Sequence, residues 1–154
     1  MKYGIIDVGS NSVRLMISEN GVTLGKEIKT TRLAEKTNDS GEIDFSAAKN
    51  TVEAFCFFVR KAKERGVDKV YAFATAAVRR AKNGVAFAKL LESETGVPVE
   101  IVSGELEAEI GIKGALNGKD GGVIDIGGAS TEIAVVKNGV KIYGKSVPTG
   151  AVTL

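Results

Sequence analysis

Two aspartates in this chain each end a short apolar run and are followed by the same kind of turn. Asp7 lies in GIIDVGSNSV (4–13) and Asp125 in GVIDIGGAST (122–131). Small residues after a strand leave consecutive backbone N–H groups open to an approaching ligand, and such a turn cradles anionic oxygens. Gly9, Ser10, Asn11 and Ser12 supply that backbone and its donors in the first turn; Gly127, Gly128, Ser130 and Thr131 do so in the second. Asp7 and Asp125 offer the oxygen ligands a hard cation takes, placed to neutralise the same phosphates. The plainer reading is two ordinary hairpins with aspartate as a turn residue.

The register of the repeat argues against the plainer reading. A shift of 118 positions pairs Gly4 with Gly122, Ile6 with Ile124, Asp7 with Asp125, Gly9 with Gly127 and Ser12 with Ser130. It also pairs Asn20, Gly21 and Val22 with Asn138, Gly139 and Val140, without a gap. Acid, glycine, hydroxyl and hairpin turn recur together, which points to two similar lobes.

Composition narrows the chemistry. The 154 residues are 44% hydrophobic and 26% charged, with a formal net charge of +2, ordinary values for a globular chain with a sizeable core. Histidine is absent, so acid–base work falls to Asp, Glu, Lys or Tyr, and no His-ligated metal site exists. Cys56 is the single cysteine; it lies on an apolar helical stripe and reads as packing, and no intrachain disulfide can form. The N-terminus lacks the uninterrupted apolar core of a signal peptide, and no apolar run approaches the ~20 residues needed to cross a bilayer. A cytoplasmic, soluble protein with no membrane and no specific nucleic-acid partner is expected. Residues 60–82 hold eight basic residues against Glu64 and Asp68, while 92–109 hold six glutamates and no base. These runs read as solvated helix faces of opposite sign or as a basic wall for a polyanion.

The elements that must position these residues follow from periodicity and turn chemistry. Two strands flank GSN, and Asn20-Gly21 leads into a third at about 22–32. Residues 33–43 read as loop, and Asp44 as the N-cap of a helix running to about Arg65, with Gly66 as its stop. KVYAFAT reads as a strand, 76–95 as a helical stretch interrupted near Asn83-Gly84, VPVEIVS as a strand, and 104–116 as a helix. The strands VIDI, TEIAVVK and VKIYGKSV complete an α/β pattern.

Four stretches resemble the exopolyphosphatase/guanosine pentaphosphate phosphohydrolase (Ppx/GppA) family: DVGSNSVRL (7–15), ATAAVRRAKN (74–83), SGELEAEIGIKGAL (103–116) and DIGGASTEI (125–133). The resemblance implies an actin-like, ribonuclease H-like lobe over 1–121, a mixed sheet with helices on both faces, and the opening of a second similar lobe over 122–154. It implies release of terminal phosphate from polyphosphate or a phosphorylated guanosine nucleotide. Both hairpins would surround the scissile phosphate, with Mg2+ near Asp7, Asp125 and Glu132. Arg79 and Arg14 would hold phosphate oxygens and Glu107 would act as general base. Taken from spacing alone, Glu107 is equally a solvated helix carboxylate and Arg79 a surface charge. Ala129 and Leu106 depart from the family's usual glycine and glutamate, and Arg80 replaces a commonly acidic residue. The rivals are a phosphotransferase of the same superfamily and a non-catalytic polyanion-binding module. Val123, Ile133, Val135 and Ile142 are expected to lack helical cover, so a packed-back or disordered tail, or a homodimer that covers those strands, is expected.

Overall fold

The computed structural model describes residues 1–128 and 130–151. Its elements are β1 (Lys2–Val8), β2 (Ser12–Glu19), β3 (Val22–Thr30), α1 (Lys49–Glu64), β4 (Lys69–Ala74), α2 (Ala76–Arg80), α3 (Gly84–Thr95), β5 (Val99–Ile101), α4 (Gly104–Leu116), β6 (Gly121–Ile126), β7 (Thr131–Lys137) and β8 (Val140–Val147). They form two compact units, Met1–Ile101 and Val102–Leu154. Helix α4 packs on β6, β7 and β8, so it groups with the second sheet, whereas the sequence reading divides the lobes at 121/122.

The first unit is built on one mixed sheet of order β3-β2-β1-β4-β5, with β1, β2 and β3 antiparallel and β4 and β5 running parallel to β1. Alternation puts Ile6, Val8, Val13, Leu15, Ala72 and Ala74 on one face, all buried. Phe55, Phe58, Val59 and Ala62 of α1 and Phe87 and Leu91 of α3 join them in a single core. The α1 residues recur at three- and four-residue spacing, the apolar stripe of a helix lying on a sheet. Close approach explains Gly4: a Cβ there would sit 3.0 Å from the Ala62 Cβ.

One helix start differs from the sequence expectation, and one helix break falls where the sequence puts it, near Asn83-Gly84. Helix α1 starts at Lys49, not beside Asp44. The Asp44 carboxylate accepts the N–H groups of Ser46 and Ala47, at 2.9 and 3.2 Å, and so caps a separate turn before the helix. The stretch after β4 breaks cleanly into α2 and α3. Asn83 fastens the break, its side chain accepting the Ile43 N–H and donating to the Ile43 carbonyl, each at 2.9 Å. Gly96, at φ 72°, ends α3 as expected.

The second unit is the antiparallel sheet β6-β7-β8 with α4 on one face. Ser103 caps α4 by accepting the Leu106 N–H at 3.1 Å, and Asn117 closes it at φ 47°. Strand for strand this unit repeats β1-β2-β3. The Asn-Gly turns have matching angles, 49° and 81° at Asn20-Gly21 and 54° and 71° at Asn138-Gly139. Even the β-bulge recurs, between Ile17 and Ser18 and again between Val135 and Val136.

The cover differs. Ile6 and Val8 are 0% exposed beneath α1, while their counterparts Ile124 and Ile126 are 67% and 65% exposed. Val123, expected to lack helical cover, points the other way and lines the gap beneath α4. Ile142 is exposed as expected.

Candidate functional site

The first hairpin places its residues at the C-terminal end of β1, where α/β sheets commonly bind ligands. Its tip closes through the Gly9 N–H, which donates to the Ser12 carbonyl at 3.0 Å. A Cβ on Gly9 would lie 3.0 Å from that same oxygen, a contact tight enough to disfavour a side chain there. Ser10 and Ser12 are buried. A strut after β3 braces the tip: Thr31 and Arg32 both donate backbone N–H groups to the Asn11 carbonyl at 2.9 Å, and Ala34 donates to the Ser10 carbonyl at 2.9 Å.

Asp7 pairs across the hairpin with Arg14, whose Nη1 lies 3.7 Å from Oδ2. The guanidinium therefore offsets the charge of Asp7 while staying largely exposed. Helix α2 begins beside the tip, because β4 runs parallel to β1 and Val8 is level with Ala74. The Thr75 N–H donates to the Val8 carbonyl at 3.2 Å, joining the start of α2 to the hairpin. Half-buried Arg79 sits in the last turn of α2. The first unit thus gathers Asp7, Gly9, Ser10, Asn11, Ser12 and Arg14, with the helix carrying Arg79, at one sheet end.

The second hairpin repeats the backbone and changes the charge. The Gly127 N–H donates to the Ser130 carbonyl at 2.9 Å, and a Cβ on Gly127 would lie 3.2 Å from that oxygen. A strut again braces the tip, through Thr131 Oγ1 donating to the Thr149 carbonyl at 2.7 Å and Ala151 N–H donating to the Gly127 carbonyl at 2.9 Å. Ala129 lies outside the described residues.

Opposite Asp125, where the first hairpin has Arg14, stands Glu132. Two carboxylates directly opposite on one sheet face repel each other. Glu132 is buried, and its Oε1 accepts a hydrogen bond from Ser146 Oγ at 2.9 Å. Ser146 was not singled out from sequence; only the β7–β8 register, which sets it opposite Glu132, could have revealed it.

Helix α4 faces this pair. A Cβ on Gly111 would lie 3.5 Å from Asp125 Oδ2, and a gap of about 10 Å³, close to the size of one water, separates the helix from the two carboxylates. Glu107 is half-buried one turn before Gly111, on the same side of α4. Glu109 is engaged elsewhere: Lys113 Nζ lies 2.7 Å from it, and this contact holds its carboxyl below the usual range. Burial pushes the Cys56 thiol up, in keeping with packing rather than nucleophilic use.

The donor set suits a hard cation. Within either unit, no three Asp, Glu or Cys side chains among the described residues gather into a metal-binding group, so Asp125 and Glu132 form a pair. Mg2+ commonly takes one or two carboxylates and fills its remaining positions with water and substrate phosphate. No helix among the described residues is long and apolar enough to cross a membrane.

Known proteins match along nearly the whole chain. The family model described as the Ppx/GppA phosphatase family matches residues 16–154. A guanosine-5'-triphosphate,3'-diphosphate pyrophosphatase of Pseudoalteromonas translucida is 33% identical, over 98% of this chain and 32% of its own length. Exopolyphosphatase 1 of Mycobacterium tuberculosis is 30% identical, over 98% of this chain and 47% of its own. Among solved structures, an exopolyphosphatase from Cytophaga hutchinsonii superposes with a TM-score of 0.87 at 27% identity, over 97% of this chain and 51% of that one. MreB5 of Spiroplasma citri, at 17% identity and a TM-score of 0.52, shares the actin-like fold alone. The chain spans between about a third and a half of the curated relatives it matches.

Proposed function

The chain belongs to the Ppx/GppA phosphatase family, and we propose that it supplies the phosphate-binding part of a phosphoanhydride hydrolase. The substrate is the terminal phosphate of inorganic polyphosphate or of guanosine pentaphosphate. One observation carries this reading: the two hairpin tips share the same backbone closure yet differ in charge, Asp7 facing Arg14 and Asp125 facing Glu132. A polyanion that travels with a divalent cation needs both kinds of turn.

In this reading the tips, shaped by Gly9 and Gly127 whose N–H groups close the turns, offer N–H and hydroxyl groups from Ser10, Asn11, Ser12, Gly128 and Ser130 to phosphate oxygens. Arg14 and Arg79 add charge-assisted contacts. Asp125 and Glu132 would hold Mg2+, which would neutralise charge on the phosphates when bound, and Asp7 is the carboxylate the first hairpin offers to such an ion. Glu107 accepts a proton from the attacking water as its oxygen bonds to the terminal phosphorus. The bridging P–O bond breaks, and the chain leaves one phosphate shorter.

The test is titration of tripolyphosphate with Mg2+ into the chain, paired with phosphate release from long-chain polyphosphate. The expected result is Mg2+-dependent binding, weakened about tenfold in Arg79→Ala, with weak release or none from this chain alone. Failure to bind tripolyphosphate in any Mg2+ concentration overturns the proposal. Binding without release even from a polypeptide of the relatives' full length favours a non-catalytic polyanion module, and release that requires ADP favours a phosphotransferase.

A further inference from the structure

Four non-glycine residues among those described have positive φ: Asn20, Arg32, Asn117 and Asn138. Three are asparagines at turns or a helix end, and asparagine tolerates the left-handed region through its short polar side chain. Arg32 is the exception, at φ 52° and ψ 48°. In the repeat, 118 positions on, the chain has Gly150, the residue type that enters that region without steric penalty. The first hairpin thus carries a large cation on a left-handed backbone, at a position whose counterpart in the sequence repeat is glycine.

That position adjoins the tip. The Arg32 N–H donates to the Asn11 carbonyl at 2.9 Å, so its Cα is anchored directly against the phosphate-cradling turn. The side chain is 65% exposed, and its contact with Glu35, at 4.0 Å between two exposed groups, contributes little to stability. Strain of this kind persists where function holds it. We propose that Arg32 is an anion-contacting residue of the first hairpin, its guanidinium taking oxygens of the condensed phosphate chain beside those held by the tip. The arginine fork suits two phosphate oxygens at once, which lysine in its place would not. This inference rests on the phosphate reading of the tip.

Strain and function make opposite demands on Arg32, and that opposition is the test. The chain and its Arg32→Gly, Arg32→Asn and Arg32→Lys variants are titrated with tripolyphosphate and Mg2+ and melted in its absence. Arg32→Gly and Arg32→Asn should melt about 2–4 °C higher, because the backbone relaxes, and yet bind about tenfold more weakly. Arg32→Lys should recover part of the affinity and none of the thermal gain. Glycine and asparagine variants that bind within twofold of the parent overturn the inference and leave the tip reading standing. A glycine variant that melts lower than the parent removes the strain argument and overturns it too. A parent chain that binds no tripolyphosphate overturns the tip reading, and this inference with it.

Discussion

Gly84 is the point at which one methyl group should disturb both stability and anion binding. A Cβ built on it lies 2.0 Å from the Val78 carbonyl oxygen and 3.0 Å from the Val78 carbonyl carbon. Both contacts are backbone, so no side chain can rotate away. The segment cannot slide freely either: Asn83 is bonded twice to Ile43, and the Lys82 N–H donates to the Gly41 carbonyl at 3.0 Å. Relief must come from α2, a helix of only five residues, with Arg79 directly after Val78. Overpacking of this kind typically costs about 1–3 kcal/mol, and the gain from replacing glycine in a helix returns at most about 1 kcal/mol. A net loss of about 2 kcal/mol lowers the melting temperature by roughly 4–8 °C in a chain of this size. Thermal unfolding of Gly84→Ala, followed by circular dichroism, measures it. Gly25→Ala is the control, since a Cβ there meets nothing within 4 Å. The same shift should pull Arg79 from its position and weaken tripolyphosphate binding. If Gly84→Ala melts with the parent, the close approach of α2 to α3 is not rigid, and the steric argument fails.

The duplicated hairpins give a paired test: Ile6→Ala should cost about 2–5 kcal/mol, whereas Ile124→Ala should stay within about 0.5 kcal/mol, both read by denaturant titration. Asp120 accepts the N–H groups of Asn138 and Gly139, at 2.8 and 3.1 Å, which holds its carboxyl below its ordinary value of 3.8. Its stabilisation of the β7–β8 turn is complete above that value and disappears as pH falls through the lower folded one, so Asp120→Asn should melt below the parent at pH 7 and with it in strong acid. In a polypeptide of the relatives' full length, where the proposal places turnover, Glu107→Gln should lower phosphate release about 10²–10⁴-fold and leave tripolyphosphate affinity within about twofold. Glu105→Gln, by contrast, should release phosphate at the parent rate.

What sequence revealed and what it concealed have separate causes. Turns written in Asn-Gly, and helix stops written in Gly66 and Gly96, depend on local backbone preference, and the structure places each of them as read. The start of α1 was misread because Asp44 caps a turn with the same chemistry that would cap a helix, and no local signal separates the two. The face of β6 was misjudged at Val123 because Val123, Ile124 and Ile126 are all apolar, so alternation alone leaves the parity open. The repeat would have resolved it, since Ile124 corresponds to buried Ile6. Ser146 and Arg32 lay beyond reading: one acts through strand register and the other through a backbone angle.

The pattern of what the repeat keeps and changes is itself an argument about function. Across 118 positions it keeps Gly9 and Gly127, Ser12 and Ser130, both Asn-Gly turns and the bulge, all features that set backbone path. It changes the residue opposite each aspartate, Arg14 in one hairpin and Glu132 in the other. If the aspartates were turn residues alone, the opposite position would be free to drift, yet a buried acid is an unlikely product of drift. Glu132 is 5% exposed, tied to Ser146 and set against a second carboxylate, an arrangement that destabilises the isolated hairpin. A bound cation would relieve that repulsion, which is the role proposed for Mg2+ here. Asp7 instead faces a cation, Arg14, across the first hairpin. A backbone kept while the charge diverges is the pattern expected if, as proposed, one kind of tip meets phosphate oxygens and the other meets a cation.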